Sequence, residues 1–181
     1  MEKLYDYGML NSQTDPRYAA RRYGRFGNIA KNGCGLIALY NVERAARADT
    51  RFDRYYAARK PIKTNLFGLL GTRPSTIPQT LEAKGFSVVP MRTKQAMNVP
   101  AFDAVIVLYW YRLGAHYVMG RGNPDGSYTF YNQFVKPSAL RLNDFLRYLR
   151  GKKQHVVRVW GVRFPQDEAP QSSGTDGNGF F

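Results

Sequence analysis

Across residues 35–48 the apolar positions Leu36, Leu39, Tyr40 and Val42, continued by Ala45 and Ala46, fall close to one helical stripe, with Arg44 and Arg47 off it. That spacing predicts the first helix. A short second helix fits 51–59 and ends before Pro61. A third fits 77–84, with Thr76 as its cap, Pro78 in its first turn and Gly85 closing it. Beyond residue 86 the period changes. SVVPM at 87–91 reads as a short strand, and the β-branched and aromatic run at 103–111 reads as a buried, central strand. The alternating runs at 115–121 and 127–133 flank GNPDG, whose turn chemistry predicts a hairpin. LNDFLRYLR has helical spacing, and 155–163 returns as a last strand.

Helices first and strands later predict an α+β domain in which N-terminal helices pack on an antiparallel sheet. Residues 1–33, rich in Gly, Asn, Arg and Tyr without a period, read as an extended N-terminal arm. Residues 34–164 form the domain, and 165–181, rich in Pro, Gly and Ser, read as a disordered tail. A chain of 181 residues with 44% hydrophobic content suits one core rather than two. No run approaches the ~18 apolar residues of a membrane span, and the N-terminus lacks the pattern of a signal peptide. The expectation is a cytoplasmic protein with no membrane partner.

Charge adds a class of partner without changing the fold. Lys and Arg total 27 against 13 Asp and Glu, a formal charge of +14. This excess attracts polyanions weakly and without sequence preference. The arginines are spread along the chain, as an ordinary solvated basic surface would have them. Tyr55, Tyr56, Tyr109 and Tyr111 offer stacking surfaces for bases, or more simply fill a core or line a groove.

The chemistry concentrates at KNGCGLIALYN, residues 31–41, where the only cysteine stands between two glycines at the start of the first helix. One cysteine excludes an internal disulfide and a four-thiolate metal site. With two histidines and no clustered carboxylates, neither a metal site nor a cofactor is indicated. GLLGT at 68–72 lacks the spacing and the lysine of a phosphate loop and reads as a loop near a cleft. A helix start favours the thiolate, which predicts that Cys34 is alkylated well below the usual thiol pKa of about 8.5. Gly33 and Gly35 leave its backbone open to a substrate carbonyl, with the Cys34 amide as oxyanion donor; alternatively they only allow close packing of a buried cysteine.

A thiol nucleophile needs a base. His116 opens a strand behind the small residues Gly114 and Ala115 and is the candidate; His155, at the start of the last strand, reads as an edge residue. With GNPDG as the loop, Arg121 faces Ser127 and Asn132 faces His116. The Asn132 amide oxygen would then hold Nδ1 and leave Nε2 towards Cys34.

This order resembles the papain-like cysteine peptidases: Cys at a helix start, His at a strand start, Asn on the next strand. NGCGLIALYN and GAHYVM followed by FYN are similar to the small bacterial branch that includes bacteriocin leader-processing peptidases and related acyltransferases. The likeness covers roughly residues 24–135. Leu36 departs from it, since many relatives have Pro after the second glycine, and so does Asn132, where Asp is frequent. The resemblance implies a papain-like fold and a peptide or acyl substrate attacked by Cys34, with His116 and Asn132 completing a triad. It also implies an oxyanion amide six residues before the cysteine, which is Asn28, with Asn32 as competitor. The alternative is an inactive scaffold of the same fold that binds nucleic acid or an acidic protein.

Overall fold

The computed structural model describes residues 8–65, 71–96, 101–111 and 114–166. Its elements in chain order are α1 (Ile29–Asn32), α2 (Cys34–Ala46), α3 (Phe52–Ala57), α4 (Thr76–Glu82), β1 (Ser87–Met91), α5 (Thr93–Ala96), β2 (Ala104–Tyr111), β3 (Gly114–Gly122), β4 (Tyr128–Tyr131), β5 (Ser138–Leu140), α6 (Leu142–Gly151) and β6 (His155–Arg163). The strands form one antiparallel sheet in the order β1-β6-β2-β3-β4-β5. The α+β class and the antiparallel sheet expected from the pattern are both present. The short α1, α5 and β5 were not expected, because pieces of three or four residues show no period. Residues 1–7, most of the 68–72 loop and the tail from 167 lie outside the described residues.

The unbroken apolar run of β2 has a direct structural cause. Ile106 and Leu108 enter a core with Leu36, Ile37, Leu39 and Tyr40 of α2, while Val105 and Val107 enter a second core with Phe145, Leu146 and Leu149 of α6. The strand is therefore buried on both faces, and alternation disappears. In α2 every residue from Cys34 to Val42 is buried, a face wider than the stripe in the sequence. None of the helices among the described residues is long and apolar enough to cross a membrane.

Residues 8–33, expected to be an extended arm, supply Leu10, Tyr18, Tyr23 and Ile29 to the α2 core. Asn41, fully buried on α2, holds this segment. Its Oδ1 accepts from the Leu10 N–H and its Nδ2 donates to the Leu10 carbonyl, both at 2.8 Å. An amide side chain carries its donor and its acceptor on separate atoms and so satisfies a backbone donor and acceptor together.

The hairpin register differs from expectation by two residues. Arg121 pairs with Thr129, not Ser127, and Gly122 pairs with Tyr128. The loop is 123–127: Asp125 Oδ1 accepts from both the Ser127 N–H and hydroxyl, Gly126 takes φ +77°, and the Asn123 N–H donates to the Ser127 carbonyl. An aspartate bonding two residues ahead moved the turn further along than glycine placement alone suggested. Consequently β4 stops at Tyr131, and Asn132 is not a strand residue opposite His116.

Candidate functional site

Cys34 is the first residue of α2, 6% exposed. The backbone amides of Tyr117, Gly35 and Cys34 itself face its sulfur and favour the thiolate, but loss of solvent outweighs them and pushes the thiol up. The helix start thus acts as the sequence suggested and is overruled by burial. Alkylation of the native protein is expected to follow a pH midpoint above the ~8.5 of an ordinary thiol. A midpoint at or below the ordinary value, measured with iodoacetamide, would contradict this.

The two glycines are explained by packing. A Cβ on Gly33 would lie 2.6 Å from the Ile29 carbonyl oxygen, where α1 runs into α2. One on Gly35 would lie 2.3 Å from Thr72 Oγ1. Thr72 is itself fixed: its hydroxyl bonds that of Tyr23 at 2.7 Å, and its carbonyl accepts from the Tyr117 hydroxyl at 3.0 Å. Gly35 therefore sets how closely the Cys34 end of α2 approaches Thr72.

His116 lies on β3 immediately before Tyr117, opposite Tyr109 of β2. Its half-buried ring stands edge-on to Tyr109 and Tyr111, with centroids 5.6 and 6.4 Å away. Nε2 is 2.7 Å from the backbone oxygen of Asn132. A carbonyl can only accept, so Nε2 carries the proton and Nδ1 keeps its lone pair. This reverses the expected roles of the two nitrogens and replaces the Asn132 side chain by its backbone. Burial holds the imidazole below its usual value, against the smaller pull of the Asn132 carbonyl. Below about pH 6.5 the unfolded chain takes up a proton that the native ring resists until a lower pH. Thermal stability is therefore expected to fall on acidification through that window, and to fall less in His116→Gln.

Asn132 holds its carbonyl in place from a left-handed backbone, φ 63°. Its Oδ1 accepts from the Gln13 N–H at 3.1 Å, its Nδ2 donates to Gln13 Oε1 at 3.4 Å, and its N–H donates to Asn11 Oδ1 at 3.0 Å. Gln13 in turn donates through Nε2 to the Ala30 carbonyl of α1 at 2.6 Å. Residues 11–13 thus tie the loop that holds His116 to the short helix preceding Cys34. These residues were missed because NSQT sits in an aperiodic stretch, and nothing local marks a partner more than a hundred residues away. Asn132→Gly keeps the carbonyl and the backbone angle, whereas Asn132→Ala adds about 1–2 kcal/mol of left-handed strain. Melting temperature is expected to fall further in Ala than in Gly; equal losses would show that the backbone angle is not what the site depends on.

Beside Cys34 lies a groove of about 270 Å³, walled by Asn32, Thr72, Leu108, Ala115, Tyr117 and the half-exposed Trp110. His116 sits between two wall residues of β3 without lining the groove itself. Asn32 lines it; Asn28 does not, and its Oδ1 instead caps α1 by accepting from the Lys31 N–H at 3.0 Å. His155 is exposed at the start of β6, a strand that lies inside the sheet between β1 and β2.

No protein-family model matches the sequence, and no curated protein matches it. Among solved structures, the peptidase domain of Streptococcus ComA, described as a bi-functional ABC transporter involved in a quorum-sensing pathway, aligns with a TM-score of 0.47 and 16% identity. The alignment covers 74% of this chain and 91% of that one.

Proposed function

We propose that the protein is a papain-like cysteine peptidase or acyltransferase acting on a peptide or acyl substrate, with Cys34 as nucleophile and His116 as base. The observation that carries this reading is the Nε2 contact to the Asn132 carbonyl. It leaves Nδ1 unprotonated on the residue that precedes Tyr117 in β3, and the Tyr117 amide faces the Cys34 sulfur. In this mechanism the pair rests neutral, since burial favours the uncharged form of each partner. On substrate binding the thiol proton passes to Nδ1 as sulfur attacks the carbonyl carbon. The amide of Asn32, in the groove, is the candidate donor to the oxyanion in place of Asn28. Collapse of the adduct expels the amine, which takes the Nδ1 proton, and leaves a thioester on Cys34. Water gives hydrolysis; an amine gives acyl transfer.

The test is incubation with a diverse peptide mixture and mass analysis of the products. New termini or amide-exchange products are expected with the native protein and none with Cys34→Ser. Products that persist in Cys34→Ser would refute the assignment.

A further inference from the structure

The Cys34 groove does not end at its own walls. Val157 of β6, half-exposed, also borders a second hollow of about 450 Å³ formed with Arg92, Thr93 and Arg158. Thr93 in turn borders a third, about 360 Å³, formed with Arg147 and Arg150 of α6 and His155 of β6. Each hollow therefore shares one lining residue with the next. Among the described residues none of the three is lined by Asp or Glu. The nearby Asp144 meets Arg147 in an exposed pair at 3.3 Å, while Arg150 and Arg158 are exposed at the surface.

We propose that these hollows form one track, and that the peptide whose carbonyl reaches Cys34 carries an acidic segment lying over Arg158 and Arg150. The inference rests on the peptidase reading for the groove and adds the chemistry of what extends beyond it. The cations of the second and third hollows are arginines, with no lysine among their walls, and the guanidinium fork matches a carboxylate in two bonds. Their walls hold no Phe, Tyr or Trp, the platforms on which single-stranded nucleic acid stacks. An extended peptide also fits a path that begins at the apolar walls Leu108, Trp110 and Val157 and continues into charge.

The experiment is fluorescence anisotropy on the Cys34→Ser protein at low salt, with labelled octaglutamate, octaglutamine and an oligothymidylate of matched charge. Octaglutamate is expected to bind, octaglutamine not, and the oligothymidylate more weakly than octaglutamate. Arg150→Glu with Arg158→Glu is expected to weaken octaglutamate by about tenfold or more. The control Arg54→Glu with Lys60→Glu, which changes net charge equally on another face, is expected to leave most of the affinity. Equal effects of the two pairs, or equal binding of octaglutamine, would overturn the proposal. Tighter oligothymidylate binding lost with Arg150 and Arg158 would give the track to nucleic acid and overturn it as well.

Because the nucleophile is absent from this assay, a peptidase reading that failed would leave the binding result standing. The link to the groove is read on the wild-type protein. Octaglutamate extended by a short apolar segment is expected to slow alkylation of Cys34, and binding without protection would separate track from groove.

Discussion

His116→Ala is expected to lower turnover about a thousandfold or more, in the range lost when a general base is removed from a nucleophile. The loss should be at the upper end because of where Cys34 sits. Its thiol is buried and pushed up, so without an adjacent base the thiolate is scarce at neutral pH. The residual rate should therefore climb about tenfold per pH unit until the thiol's own value is reached. A wild-type rate carried by the Cys34–His116 pair will instead level off once the imidazole is neutral, which its lowered value places below the usual histidine range. A mutant profile parallel to that of the wild type would show that His116 is not the base.

Gly35→Ala is expected to damage both stability and activity. Alanine favours a helix over glycine by about 1 kcal/mol, so a solvent-facing glycine would gain from the change. Here the new methyl would lie 2.3 Å from Thr72 Oγ1 and 2.4 Å from Thr72 Cβ, distances no packed pair sustains. Thr72 cannot turn aside without leaving Tyr23, so α2 must move away from it. Overpacking of this kind costs about 1–3 kcal/mol, and displacement of the proposed nucleophile Cys34 by about 1 Å costs about a hundredfold in rate. Melting temperature and turnover should both fall in Gly35→Ala. Thr72→Gly in the same chain, by removing the obstructing side chain, should recover part of each, a non-additivity expected only of touching residues.

The parts of this molecule that were legible from the sequence are those governed by local periodicity. Leu36, Leu39 and Val42 announced α2, and the run from Ala104 to Tyr109 announced a buried strand. Cys34 and His116 stood out because the chain has one cysteine and two histidines. What escaped depends on contacts distant in the chain or on burial. The Asn132 carbonyl, rather than its amide, faces His116 because the Asp125–Ser127 turn shifted the ladder by two residues. Gln13 and Asn11 hold that carbonyl across more than a hundred residues, and Asn41 draws Leu10 into the core. The sign of the Cys34 shift was misjudged for a physical reason: the amides at the helix start favour the thiolate as expected, but burial costs the charge more.

The pairing of Cys34 with His116 is tested most directly by covalent capture. A peptidyl acyloxymethyl ketone, which reacts with a cysteine held beside a base, is incubated with native protein and with His116→Ala, and the adducts are located by mass spectrometry. One adduct per chain on Cys34, formed about a hundredfold or more slowly in His116→Ala, is the expected result. Labelling of Cys34 at the same rate in both proteins would contradict it.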